Sequence, residues 1–172
     1  IMGKKTTQET LAKAVDYVLK IKKTPIVVND SRGFYTSRCF GTYVQEGQEM
    51  LAEGIKPAII ENVGRMTGMP VPPLSMADEV ALDLAYKVGQ QTKKDLGNKW
   101  VATPSQLIIE EMVEGLGRFG RKNKKGFYDY KEDGTKAIWP GLTSVVATKV
   151  HEADPAMVKE YKNRLLYRQA LE

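Results

Sequence analysis

Apolar positions along the chain fall into helical runs separated by short breaks. Between residues 6 and 22, Leu11, Val15, Val18 and Leu19 recur at helical intervals, which predicts a helix with one apolar face. Thr6 and Glu9 stand at capping-box spacing at its start, where a hydroxyl and a carboxylate satisfy free backbone N–H groups. Thr24-Pro25 stops it, because proline restricts the residue before it. Ile26-Val27-Val28 is a short β-branched run expected as a buried strand, and Asn29-Asp30-Ser31-Arg32-Gly33 is a polar turn.

The next run, over 34–53, carries Phe40, Tyr43, Val44 and Leu51 at helical spacing, with Gly54 as its stop. Pro57 suits the first turn of a further helix whose apolar face is Ile59, Ile60 and Val63. Gly68-Met69-Pro70-Val71-Pro72-Pro73 cannot be regular helix and is predicted as a rigid loop. A longer helix is expected over 74–95, with Ala77, Val80, Ala81, Leu84 and Val88 inward. Pro104-Ser105 opens another, carrying Leu107, Ile108 and Met112, and a loop rich in glycine and lysine leads to Gly126-Phe127-Tyr128-Asp129-Tyr130. Turns are expected at Glu132-Asp133-Gly134-Thr135 and Trp139-Pro140-Gly141. Asp154-Pro155 opens a final helix with no closing Gly, Asn or Pro. Its Leu165, Leu166 and Leu171 have no later elements to meet, so the end at Glu172 reads as imposed on a longer chain. Ser37-Arg38-Cys39-Phe40 leading to Glu46 is echoed by Asn163-Arg164-Leu165-Leu166 leading to Glu172. The echo suggests a second copy of the helical domain beginning near residue 160.

Composition narrows the class without choosing a function. The chain has 172 residues, 42% hydrophobic and 27% charged, as expected of a globular protein with one domain or a little more. It has no apolar run of about 18 residues and no apolar stretch of a signal peptide near Ile1-Met2-Gly3-Lys4-Lys5. The single cysteine, Cys39, excludes an internal disulfide and a multi-cysteine metal site. The net charge of +5 includes the cluster Arg121-Lys122-Asn123-Lys124-Lys125, which could meet a polyanion or simply be solvated.

Gly115-Leu116-Gly117-Arg118-Phe119-Gly120 fits the dinucleotide-binding spelling G-x-G-x-x-G. That motif works between a strand and a helix whose N-terminal N–H groups hold the pyrophosphate. Here it follows a helix and precedes a basic loop, so it reads as a glycine-rich helix end. His151, the only histidine, lies in an irregular stretch and reads as a surface residue. Cys39 reads as a partly buried structural thiol, and Asp78 and Glu79 as acids complementing the dipole of a helix start. Phe127, Tyr128 and Tyr130 read as packing aromatics. Residue patterns alone thus reach a mostly helical protein with one strand.

Longer stretches, taken together, resemble the 3-hydroxyacyl-CoA dehydrogenase family. Lys23-Thr24-Pro25-Ile26-Val27-Val28-Asn29-Asp30-Ser31-Arg32-Gly33-Phe34 is similar to the family's junction between its NAD-binding and C-terminal domains. Gly68-Met69-Pro70 through Ala77-Asp78-Glu79-Val80 resembles its Gly-x-Pro loop and following helix. Gly120-Arg121-Lys122 to Gly126-Phe127-Tyr128-Asp129-Tyr130 resembles its closing Gly-Phe-Tyr segment. The Ser31-Arg32-Gly33-Phe34 variant and the broken repeat look most like the multifunctional α subunits of fatty-acid β-oxidation.

The resemblance implies a mainly α fold. Residues 1–30 would be the last helix and strand of a Rossmann NAD-binding domain. Residues 31–130 would be a helical-bundle C-terminal domain of the 6-phosphogluconate-dehydrogenase-like type, and 131–172 a linker and the start of a second helical domain. It implies NAD as cofactor and an acyl-CoA substrate, with the catalytic histidine, its glutamate partner and the NAD fingerprint upstream of this chain. Catalytic residues and metal ligands are therefore not expected here. Two family site positions fall inside the chain: Ser37, where the family commonly has a substrate-contacting asparagine, and Lys122, matching a lysine that reaches the cofactor. The expected partners are the upstream NAD domain and, by self-association, further copies, in a bacterial cytoplasm, a mitochondrial matrix or a peroxisome. The competing readings are a basic helical module that binds nucleic acid through 121–125, and a self-sufficient oxidoreductase built on the 115–120 glycines.

Overall fold

The computed structural model describes residues 1–31 and 33–171. Arg32 of the expected turn and Glu172 of the echoed motif lie outside the described residues. The chain divides into two compact units, 1–40 and 41–172.

The first unit contains α1 (Gln8–Lys20) and the opening turns of α2 (Phe34–Ala52). The cap of α1 lies one residue later than the spacing predicts. Thr7 is the N-cap and its hydroxyl accepts from the Thr10 N–H at 3.2 Å, whereas the Thr6 hydroxyl accepts from Gly3 N–H at 3.0 Å. Leu11, Val15 and Val18 lie half-buried on one face, and Leu19 is exposed. The buried strand expected at 26–28 is not formed. Met2 donates to the Val28 carbonyl at 2.8 Å and accepts from the Asp30 N–H at 3.2 Å, an isolated parallel bridge, while Ile26 and Val27 stand exposed. A β-branched run becomes a buried strand only when neighbouring strands and helices cover both faces, and the first unit has no such neighbours.

The second unit is helical around a single core. Elements α3 (Pro57–Met66), α4 (Pro73–Val80), α5 (Leu82–Leu96) and α6 (Pro104–Glu110) follow in order. Thr103 and Gln106 close a capping box at the start of α6, and a π-helical turn over Glu111–Gly115 ends it. Tyr43, Met50, Ile60, Leu74, Leu82 and Phe127 are among the fully buried side chains. The helix expected over 74–95 is broken. Ala81 adopts φ 86° and separates α4 from α5, and Leu82, now fully buried, donates its N–H to the Phe119 carbonyl at 3.0 Å. The break turns Val80, Leu84 and Val88 outward, against expectation. Leu107 also faces solvent, while Ile108 and Met112 enter the core.

Beyond the helices, β1 (Tyr128–Tyr130) pairs antiparallel with β2 (Lys136–Ile138) across the expected turn at 132–135. A hairpin this short carries too few alternating positions to show in the sequence. After α7 (Leu142–Val145), Lys56 N–H donates to Val150 O at 3.0 Å, tying the linker to the start of α3. The last helix, α8 (Pro155–Leu171), begins with Asp154 accepting from Met157 N–H at 2.8 Å. It does have partners: Tyr161 and Leu165 enter the core, while Leu166 and Leu171 stay exposed as expected, and so does Tyr167. Arg164 donates to Glu46 and, through both terminal nitrogens, to Glu53, each at 2.7 Å, and Arg168 reaches Glu46 at 3.1 Å. The arginine of the second motif copy thus holds the glutamate of the first. Among the described residues no helix is long and apolar enough to cross a membrane.

Candidate functional site

The most heavily constrained segment is the loop from Gly117 to Tyr130, gripped by acids on α3, α4 and α5. Asp78 on α4 is fully buried; its carboxylate accepts from Phe127 N–H at 2.8 Å, Tyr128 N–H at 2.9 Å and Tyr130 O–H at 3.0 Å. Gly120 and Gly126 are required by this approach. A Cβ on Gly120 would meet the Asp78 backbone oxygen at 2.5 Å, and one on Gly126 would overlap the carboxylate. Glu61 on α3, 1% exposed, accepts from Leu74 N–H at 2.8 Å and from the Tyr128 hydroxyl. The Lys136 ammonium lies 4.9 Å from the Tyr128 ring centre and donates to Ser75.

Burial sets the electrostatics of this network. It pushes Asp78 up from 3.8 to about 6, opposed by the hydrogen bonds from Phe127, Tyr128 and Tyr130. It also raises Glu61, against the lowering effect of Tyr128 and the 74–75 backbone, and raises Tyr128 and Tyr130, whose hydroxyls face these carboxylates. Such groups suit the holding of a loop. Asp78 and Glu61 are buried and their carboxylates are engaged by backbone and tyrosine donors.

The G-x-G-x-x-G run is the entrance to this loop. Gly115 ends the π-turn after α6, and Arg118 between the glycines is buried. Its guanidinium donates to Gly126 O at 2.7 Å and Asp129 Oδ1 at 2.5 Å, and lies 4.0 Å from the Trp139 ring centre. Among the described residues no strand precedes the run and no α-helix starts from it, so it lacks the geometry of a dinucleotide cradle.

Lys122 sits in the 3-10 turn Arg121–Asn123 at the tip of the loop, its side chain half-exposed. Its ammonium pairs with Asp83 and lies 5.5 Å from the Phe119 ring centre. Arg121 pairs with Glu79 at 2.6 Å and Lys124 with Glu132 at 3.6 Å, so the basic cluster is largely matched by acids. The acids of 78–83 therefore hold the loop; Asp78 and Glu79 stand in the last turn of α4, not at a helix start as expected, and only Asp83 lies in a first turn, that of α5. Among the described residues no group of three His, Cys, Asp or Glu side chains gathers as metal ligands.

Ser37 lies exposed in the opening turns of α2, in the first unit, whereas Lys122 belongs to the second. Cys39 is half-buried on the same helix, and His151 is exposed in the linker beside Val150. Sequence reasoning missed Glu61, Arg118 and Lys136. The available signal for Glu61 was a carboxylate beside Ile60 in the inward-facing register of α3; Arg118 and Lys136 carried none.

Comparison with known proteins agrees with this geometry. The family model for the 3-hydroxyacyl-CoA dehydrogenase C-terminal domain matches residues 33–130, more than half of the chain. The chain is 38% identical over 133 residues to the fatty acid oxidation complex subunit alpha of Shewanella baltica, covering 77% of this chain and 18% of that one. The crystal structure of the dehydrogenase part of multifunctional enzyme 1 from C. elegans superposes with TM-score 0.68 at 25% identity, over 98% of this chain and 37% of that one. (S)-3-hydroxybutyryl-CoA dehydrogenase from Ralstonia eutropha matches with TM-score 0.59 at 28% identity, over 76% and 46%. The α-rich bundle closed by a Gly-Phe-Tyr hairpin is thus a dehydrogenase C-terminal domain in fold. The chain belongs to the 3-hydroxyacyl-CoA dehydrogenase C-terminal domain family. It spans about a fifth of the length of the curated relatives it matches.

Proposed function

We propose that the chain supplies the C-terminal helical part of an NAD-dependent 3-hydroxyacyl-CoA dehydrogenase of fatty-acid β-oxidation, and that it is inactive without an NAD-binding domain. The observation that carries this reading is the family match over 33–130, which includes the acid-gripped loop bearing Lys122. In this reading residues 1–30 complete the NAD-binding domain. Residues 31–130 form one wall of the acyl-CoA cleft, and 131–172 are a linker and the opening of a second helical domain. The exposed Ile26 and Val27 then have an occupant, the remaining strands and helices of the NAD domain.

NAD supplies the hydride chemistry when bound, and its cradle is expected outside this chain. The residues here fit only an edge of the cofactor. Lys122, a half-exposed ammonium on a fixed loop, suits a phosphate or ribose oxygen. Ser37 would offer one hydroxyl to the acyl-CoA where the family commonly offers an amide. Self-association would use exposed apolar positions such as Leu84, Val88 and Leu107, and sedimentation at increasing concentration tests it. The setting is expected to be a bacterial cytoplasm. Pairing of Arg121, Lys122 and Lys124 with acids weighs against a nucleic-acid module, which needs free cations for phosphate contacts.

The test is a chimera in which residues 1–172 replace the matching segment of the Shewanella baltica subunit alpha. NADH oxidation dependent on acetoacetyl-CoA supports the reading. A folded chimera with no turnover, beside an active parent, refutes it.

A further inference from the structure

Lys122 is the one residue of the basic loop for which a ligand role is proposed above, and its placement depends on an element the sequence did not reveal. The break at Ala81, with φ 86°, starts a new helix at Leu82 and brings Asp83 into its first turn. A positive φ at alanine is unfavourable by about 1 kcal/mol, and the fully buried Leu82 with its N–H on Phe119 O holds it there. That bond joins the start of α5 directly to the loop that carries Lys122. The loop is also closed on itself: Gly120 and Lys125 exchange backbone hydrogen bonds at 2.7 and 3.1 Å, and the Asn123 side chain accepts from Phe119 N–H at 3.1 Å while donating to Gly117 O at 2.9 Å. The Lys122 backbone is therefore fixed, and the remaining freedom lies in its four-carbon stem.

We infer that Asp83 is a positioning residue for Lys122, holding its ammonium at the cofactor-facing tip of the loop before a ligand arrives. The inference rests on the reading of Lys122 under Proposed function. Half-exposed ion pairs contribute little to stability, so this one is expected to act on orientation. An untethered lysine loses rotamer freedom when it binds; a lysine already held by a carboxylate and the Phe119 ring loses less. The carboxylate is only 18% exposed and is ionised at neutral pH, the Lys122 ammonium holding it below its usual range. Its other cation, Lys87 on the same helix, stands at 3.7 Å and is a looser partner.

Two measurements test the inference. The first is trace acetylation of all lysines in the intact chain, read by mass spectrometry. Lys122 is expected to react at least about threefold more slowly than exposed Lys94, to reach the Lys94 rate in Asp83→Asn, and to return towards the slow rate in the charge-keeping Asp83→Glu. Equal Lys122 rates in wild type and Asp83→Asn overturn the proposal. The second is NADH binding by fluorescence in the chimera, with Asp83→Asn, Lys122→Met and the double variant. Each single change is expected to weaken NADH about three- to tenfold, with the double variant no weaker than Lys122→Met. If Lys122→Met weakens NADH while Asp83→Asn has no effect or adds to it, the positioning role is overturned. If Lys122→Met leaves NADH affinity intact, the reading of Lys122 itself falls and the cofactor role of Asp83 with it, whatever the acetylation shows.

Discussion

The helices at the two ends of the described chain, α1 and α8, look alike as sequences and differ in what they bury. Both open with a capped turn and both carry apolar residues, in a clear stripe on α1 and more scattered on α8. Yet α1 buries no residue, whereas α8 buries Tyr161 and Leu165 and anchors Arg164 on Glu46 and Glu53. Periodicity says which face of a helix is apolar; the neighbours decide whether that face is covered. In the second unit α3 receives α8, and a buried glutamate on α2 receives its arginine. In the first unit the β-branched Ile26 and Val27 stand exposed and join no sheet among the described residues.

The sharpest way to break this contrast is to remove the anchor of α8. Leu165→Ala should lose about 3 kcal/mol in urea unfolding, the usual loss for a buried leucine where the cavity does not collapse. A second change tests the acid grip. The folded-state pKa of Asp78 lies above its unfolded value, so its contribution to stability is complete below about pH 4 and is lost as pH rises through about 6. Asp78→Asn abolishes that contribution and turns an amide N–H₂ towards backbone donors. The stability gap between wild type and Asp78→Asn should therefore widen on acidification from pH 7 to pH 4.5, by on the order of 2 kcal/mol. A gap that narrows would mean the carboxylate is not held as described. Arg164→Met, which leaves Glu46 with Arg168 alone, should destabilise by roughly 1–2 kcal/mol. At the other end, Leu19→Ala on the exposed side of α1 should change stability by less than about 0.5 kcal/mol. A loss there as large as that of Leu165→Ala would erase the distinction between the two helices.

The same contrast explains how much could be read in advance. Helices α2, α3 and α6 were legible because stops, prolines and periodic apolar residues agree with one another, and α8 from its Asp154-Pro155 start alone. The Gly-Phe-Tyr segment was legible as a family feature only through the resemblance. What escaped was decided by contacts distant in sequence. The break at Ala81 depends on Phe119 accepting from Leu82, and no local residue at 80–82 announces it. The burial of Asp78 depends on backbone donors 49 and 50 residues later, so an acid expected to serve a helix start became the centre of the site. The expected strand failed for the same reason in reverse: among the described residues nothing pairs with Ile26 and Val27, and local β-branching alone does not make a strand.

In the function proposed above, this dehydrogenase C-terminal domain works only together with an NAD-binding domain. The most direct measurement follows NADH absorbance with the isolated chain, acetoacetyl-CoA and NADH, beside an intact family member as control. The account predicts no turnover by the chain while the control oxidises NADH. Turnover by the chain alone would contradict it, and would return His151 and the glycine run at 115–120 to consideration as catalytic machinery.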